Sequence, residues 1–146
     1  MTEADLHMWT GVAVVASSLL AGGWGAVAWL RRRPSVAFWY VLRTAQALVV
    51  IQVLLGGLLL LLGREPGDGL HYVYGLLPLL VSVLGEGARA GGAERELEGL
   101  DFEALPASRR HEVALAIARD ETGIMALSAL VIFGLALRAA FVGGGL

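Results

Sequence analysis

The chain has 146 residues, of which 57% are hydrophobic, and its formal net charge is −2. Its mean hydropathy of +0.70 is higher than that of an ordinary soluble domain of this length, so a water-soluble globular protein is not expected. The absence of cysteine excludes disulfides, thiolate metal sites and cysteine nucleophiles. The slightly acidic balance gives no indication of a nucleic-acid partner.

Four apolar stretches are long enough to cross a membrane as helices. A bilayer core requires about 20 consecutive apolar residues in a helix, and the stretches lack the strict alternation of barrel strands. The seven residues before the first stretch are acidic and lack the basic region of a signal peptide, so the first helix is expected to be retained. The sequence therefore predicts an all-α integral membrane bundle of four transmembrane helices, with spans at about 8–30, 36–62, 70–87 and 123–142.

The distribution of arginine predicts the orientation of these helices. The chain has no lysine, a bias typical of GC-rich bacterial genomes, and we expect it in the bacterial cytoplasmic membrane. The first loop contains Arg31–Arg33, and the second contains only Arg64. The third loop contains five arginines: Arg89, Arg95, Arg109, Arg110 and Arg119. The positive-inside rule therefore predicts that the first and third loops are cytoplasmic and that both termini are outside.

The third loop, about 88–121, is predicted to be a helical connector on the cytoplasmic face. Glu94–Glu103 alternates acidic residues with apolar ones, which favours a short amphipathic helix. Pro106 is expected to end that helix. A second helix is predicted to run unbroken from about Arg109 into the fourth span. The connector is interpreted as a solvated link, with a docking surface for a partner as the alternative.

Glycines are concentrated in the first two spans, at Gly22, Gly23, Gly25, Gly56 and Gly57. Small residues at these positions allow helices to approach closely. They would also leave room for a flat ligand, and the two interpretations are compatible. The glycines at 143–145 are expected to be a frayed end.

His7 and His71 are the residues that most strongly suggest a chemical function. Each stands at the beginning of a span that starts outside, so the two are predicted to face each other at one end of the bundle. Neutral imidazole is a good axial ligand for haem iron, and helical bundles hold cofactors between facing helices. Tyr74 would form an aromatic wall of such a site. Arg64 and Arg138, predicted at the same face, would hold the haem propionates.

Other interpretations of these histidines remain open. Both histidines would also be ordinary as polar residues at a membrane interface. Two histidines are too few for a zinc site, although a carboxylate from Glu3, Asp5 or Asp68 would make a metal site of another kind. The third histidine, His111, is predicted at the opposite face and is not expected to be a ligand.

Part of the chain resembles a known family. The matching features are a histidine opening the first span, a basic turn, a Gln-Val-Leu-Leu-Gly-Gly run with further leucines, and a histidine opening the third span. They lie at His7, Arg31–Arg33, 52–63 and His71. Over residues 7–82 the chain resembles the second to fourth helices of one half of haem A synthase. The resemblance implies that His7 and His71 are axial ligands of a haem in a four-helix half.

The chain also departs from that family. It has room for one half rather than two, and Met8 follows the first histidine where the family typically has arginine. Glu3 and Asp5 only approximate the carboxylate that precedes this histidine in the family. The fourth span is additional. The methyl-oxidising activity of the family is therefore not carried over, and what the resemblance implies is a haem-binding half-bundle.

Arg43 is the one charge deep in a span. It lies about 10 Å inside the second span on the cytoplasmic side, within reach of the interface for a long side chain. Asp120 and Glu121 begin the fourth span on the same side, and we predict that they form a structural ion pair with Arg43.

The function predicted from these observations is that of a small membrane protein that binds haem b. It would transfer electrons or handle haem near the outer face, and catalysis is not expected. One alternative is a non-catalytic accessory or structural subunit of a larger membrane complex, of which a respiratory complex is one example. Another is a small dimeric transporter that uses Arg43. Besides the lipid bilayer, a second copy or a larger complex is the expected partner.

Overall fold

The computed structural model describes residues 2–143, and it contains four α-helices and no strand within that range. The helices are α1 (Glu3–Leu30), α2 (Val36–Leu61), α3 (Leu70–Leu97) and α4 (Ala107–Val142). Each is long and apolar enough to cross a membrane, which confirms the predicted all-α fold of four membrane helices. Gly143 caps α4, and the rest of the predicted frayed end, 144 and 145, lies outside the described residues.

Short connections with local caps make neighbouring helices antiparallel. The Thr2 hydroxyl accepts from the amide of Asp5 at 3.2 Å, and the Asp5 carboxylate accepts from the amide of Thr2 at 2.8 Å, which starts α1. Ser35 caps α2 in the same way by accepting from the amide of Phe38. Gly63, at φ +73°, turns the chain after α2, where a side chain would be strained.

The two ends of the bundle carry different residues. Since α1 and α3 run in one direction and α2 and α4 in the other, His7 and His71 lie at the same end, here named the histidine end. The opposite end, where α1 and α3 finish, contains Arg43 and Arg119 and is named the arginine end. α4 packs along both α1 and α3, and α2 packs along α1, whereas α2 and α3 touch least among the neighbouring helices. One side of the bundle, between α2 and α3, is therefore loosely filled.

Two apolar clusters fill the space between the ends. Val14, Val49 and Ile132 form the cluster nearer the histidine end, each no more than 4% exposed. The other cluster lies nearer the arginine end and consists of Ala21, Phe38, Leu42, Met125 and Ala129. Most remaining large side chains face outward, as expected for helices whose surroundings are lipid.

Two glycines of the first span permit the close packing that the sequence predicted. A Cβ at Gly22 would lie 2.6 Å from Cδ2 of Leu130. At Gly25 it would lie 2.5 Å from Cε2 of Phe38. Gly23 and Gly57 have nothing within 4 Å, so they play no part in this packing.

The predicted separate helix at Glu94–Glu103 is wrong. α3 continues past the apolar span to Leu97, and the chain then turns until α4 begins at Ala107. No proline lies between the span and Glu94, and four of the six residues at 88–93 are alanine or arginine, which favour a helix and outweigh Gly91 and Gly92. Gly99, at φ +73°, marks the turn instead. The predicted unbroken fourth helix is confirmed, since α4 runs for 36 residues.

Candidate functional site at the histidine end

His7 and His71 face each other across the histidine end. The centroids of their imidazole rings are 6.0 Å apart, and the ring planes are inclined by 60°. His7 lies in the second turn of α1 and His71 in the first turn of α3. The pair therefore meets at one end of the bundle, as its positions in the sequence predicted.

The ring of His71 is held by α4. Its Nδ1 lies 3.0 Å from the carbonyl oxygen of Ala139, which can only accept, so Nδ1 carries the proton and donates. A Cβ at Gly143 would lie 2.7 Å from the same Nδ1, so glycine is needed there for the ring to sit against the end of α4. This arrangement leaves the lone pair on Nε2, the arrangement of a metal-binding histidine.

The ring of His7 is held by α2. Nε2 of His7 lies 3.2 Å from the side-chain nitrogen of Gln52. Gln52 packs over Gly11, where an added Cβ would lie 3.1 Å from Nε2 of Gln52. His7 packs over Gly56, where an added Cβ would lie 3.3 Å from Cε1 of His7. Two glycines, one on each helix, thus make room for the histidine and its amide partner.

Two polar atoms of this pair are buried and have no partner. They are Nδ1 of His7 and Oε1 of Gln52. Burying an unpaired polar atom is costly, and such atoms call for a ligand, a water or an ion. A half turn of the Gln52 amide would let its oxygen accept from Nε2 of His7, which leaves a lone pair on Nδ1. Each histidine then has one nitrogen oriented by the protein and one available for a ligand.

Arg138, Tyr74 and Arg64, the other residues predicted to hold the cofactor, also lie at the histidine end. The guanidinium of Arg138 stacks on the ring of Tyr74, with 5.7 Å between Cζ and the ring centroid. Arg138 precedes Ala139, the residue whose carbonyl oxygen holds His71, in the sequence of α4. Arg64 lies exposed in the loop between α2 and α3. Neither arginine forms an ion pair with any residue from 2 to 143.

The spacing of the rings suits two ligands on opposite sides of one metal ion. With metal–nitrogen distances of about 2 Å, opposed imidazoles have centroids about 6 Å apart, and neighbouring ligands of a tetrahedral ion have centroids about 5 Å apart. The observed 6.0 Å is close to the value for opposed ligands. Over the described residues, no third histidine, aspartate or glutamate joins a metal-binding group. Glu3, Asp5 and Asp68 therefore do not complete a zinc-type site.

Two glycines near the rings have open surroundings. Gly57 follows the glycine that faces His7, and Gly75 lies one turn beyond His71; neither has an atom within 4 Å of its Cβ position. The two glycines belong to α2 and α3, which touch least among the neighbouring helices. The imidazole nitrogens are donors of the kind that a haem iron binds.

The predicted ion pair at the arginine end is formed differently. Arg43 binds Glu86 of α3 rather than Asp120 or Glu121. Glu121 joins through Arg89, whose Nη1 lies 2.9 Å from its carboxylate and whose Nε lies 3.1 Å from that of Glu86. Asp120 is exposed and in none of the ion pairs within 2–143. Glu86 lies near the end of the predicted third span, and the packing of α3 beside α2 brings it level with Arg43.

The ion-pair network at the arginine end contains two arginines and two glutamates, so its charges balance without a further ion. Gln46 also donates to Glu86 at 2.9 Å. Arg43 and Arg89 both stack on Trp39, at 5.7 and 5.8 Å from its ring. The network therefore ties α2, α3 and α4 together and has the character of a structural clasp.

Sequence reasoning did not assign Gln52 or Glu86 their roles. The signal was an amide and a carboxylate in or beside an apolar span, where each requires a partner. Comparison of the chain with protein-family models, curated proteins and solved structures found no match.

Proposed function

We propose that this protein binds haem b at the histidine end. The bound haem would either transfer electrons near the outer face of the membrane or be passed on to another protein. The observation that carries the proposal is the 6.0 Å separation of the His7 and His71 rings. The proposal also draws on the resemblance of the sequence to half of haem A synthase. Because His7 and His71 would both hold the haem iron, the site would suit electron transfer better than oxygen chemistry.

The residues around the pair would have separate roles. His7 and His71 would be the axial ligands, Gln52 would orient His7, and the Ala139 carbonyl would orient His71. Arg138 and Arg64 would bind the propionates, because an arginine fork pairs with a carboxylate in two hydrogen bonds. Tyr74 would hold the Arg138 guanidinium in place by stacking. When bound, the haem supplies an iron that cycles between two oxidation states.

The location proposed for the protein is the bacterial cytoplasmic membrane, with both termini outside. Support comes from the arginine end, which contains Arg31–Arg33 and most of the other arginines, whereas the histidine end has only Arg64 and Arg138. The histidine site would then face the outer side.

The first test is the reduced-minus-oxidised absorption spectrum of the protein purified in mild detergent after expression with ample haem. The parent is expected to give the sharp bands of a low-spin b-type haem, and both His7→Ala and His71→Ala are expected to lose them. His111→Ala is the matched control, because His111 is exposed near the start of α4, and it should retain the spectrum. A colourless parent, or bands that survive in either single variant, would contradict the proposal.

A second prediction concerns Gln52. Gln52→Leu removes the hydrogen bond to His7 and is expected to weaken haem binding about 10-fold or more, the usual cost of losing a ligand's orienting partner. Gln52→Glu can only accept from His7, so it should retain haem and lower the midpoint potential. Haem titration and redox potentiometry measure the two effects.

Gln46→Leu is the control for this experiment, since it changes an amide at the other end of the same helix. Its haem affinity should equal that of the parent. Equal affinities and potentials in all three variants would show that Gln52 does not orient a ligand.

A further inference from the structure

A second site is indicated at the arginine end, on the side formed by α1 and α4. The guanidinium of Arg119 lies over the indole ring of Trp29, with 5.9 Å between Cζ and the ring centroid. Gly123 makes this packing possible, because a Cβ there would lie 2.7 Å from Nε1 of Trp29. Arg119 is thus held against the end of α1 by packing rather than by an opposite charge.

Arg119 differs from the arginines at this end that bind carboxylates. Arg43, Arg89 and Arg109 each bind one, whereas no ion pair within residues 2–143 includes Arg119, Arg95 or Arg110. Its Nε is buried and has no hydrogen-bond partner. A guanidinium that is partly buried and unpaired is costly unless an anion is nearby.

The chain directly after Trp29 adds more positive charge. Arg31, Arg32 and Arg33 follow in an exposed turn, in which Arg32 has φ +53°. The linking residues 31–35 contain no acidic residue. Trp29 is the kind of residue that lies at the level of lipid headgroups, so these arginines lie where headgroup phosphates are.

Nearby acidic residues do not neutralise this group. Glu121 binds Arg89. Asp120 is adjacent to Arg119 in sequence, but consecutive residues of a helix point in different directions. Four arginines, Arg31–Arg33 and Arg119, therefore surround the end of α1, and none of them is paired with a carboxylate of residues 2–143.

We propose that Arg119 and Arg31–Arg33 bind the headgroup of an anionic phospholipid. The Arg119 guanidinium would pair with the phosphate, the exposed arginines would add electrostatic attraction, and the acyl chains would lie along the apolar sides of α1 and α4. Basic pockets between membrane helices hold anionic lipids in this way. The proposal does not depend on haem binding at the other end.

The test compares lipids added to the purified protein in mild detergent. Native mass spectrometry counts bound lipid, and thermal unfolding reports stabilisation. Phosphatidylglycerol is expected to remain bound and to raise the unfolding midpoint, whereas phosphatidylcholine should do neither. Arg119→Gln should weaken phosphatidylglycerol binding about fivefold, the effect of one arginine near an anionic surface.

Arg109→Gln is the matched control, because Arg109 lies on the same helix but is exposed and paired with Glu112. It should bind phosphatidylglycerol as the parent does. If Arg119→Gln does not fold, Arg31→Gln and Arg33→Gln replace it, since both lie in the exposed turn, and each should also weaken binding. Equal binding of the two lipids, unchanged binding in the arginine variants, or an equal shift with inorganic phosphate alone would each overturn the proposal.

Discussion

Replacing Gly25 with alanine is expected to destabilise the bundle by about 2 kcal/mol, as overpacking of a filled interior does. The added Cβ would lie 2.5 Å from Cε2 of Phe38 and 2.8 Å from Cβ of Ala126. Phe38 is fully buried and Ala126 is 2% exposed, so neither can move aside without disturbing α2 or α4. The thermal unfolding midpoint of the purified protein measures the loss.

Gly23→Ala is the natural control for this substitution. Gly23 lies two residues earlier in the same helix, and nothing lies within 4 Å of its Cβ position. Because alanine is a better helix former than glycine, this variant should be as stable as the parent or slightly more stable. Equal stabilities for the two variants would mean that α1, α2 and α4 do not pack as described.

Loss of the Glu86 charge is expected to have the second large effect. Glu86→Gln leaves Arg43 and Arg89 without the carboxylate that both bind. The side chains are partly exposed, so a loss of about 2 kcal/mol is expected, between the values for exposed and buried ion pairs. Unfolding midpoints at low ionic strength measure this directly.

Glu112→Gln provides the comparison, since it removes a carboxylate from the exposed pair with Arg109. Its effect should be no more than about 0.5 kcal/mol. A Glu86→Gln variant as stable as Glu112→Gln would show that the clasp between α2, α3 and α4 contributes little. The double variant Arg43→Gln, Glu86→Gln should cost less than the sum of the single changes, because the two charges interact.

The sequence was most informative where a single physical rule sufficed. Bilayer thickness predicted four spans, and alternating direction then predicted that His7 and His71 lie at one end. Neither inference requires knowledge of how each helix is rotated about its axis. The residue that hydrogen-bonds to His7 does depend on that rotation. The contact with Gln52, 45 residues away, was therefore not predictable from spacing.

Relative depth was the other quantity that the sequence did not provide. The partner of Arg43 depends on which residues of α3 and α4 stand at its depth, and Glu86 of α3 is the one that does. Hydropathy locates the apolar part of each helix but not the relative depth of two helices, and for this reason it favours Asp120 and Glu121 as partners.

The two apolar clusters separate the histidine end of the bundle from the arginine end. His71 and Glu86 are separated by 15 residues of one helix, or about 22 Å along its axis, and Val14, Val49 and Ile132 close the interior between the two ends. Buried apolar side chains of this kind hold no ordered water of their own. If the histidine end holds a redox group as proposed, this apolar layer would separate its change of charge from the ion pairs at the arginine end.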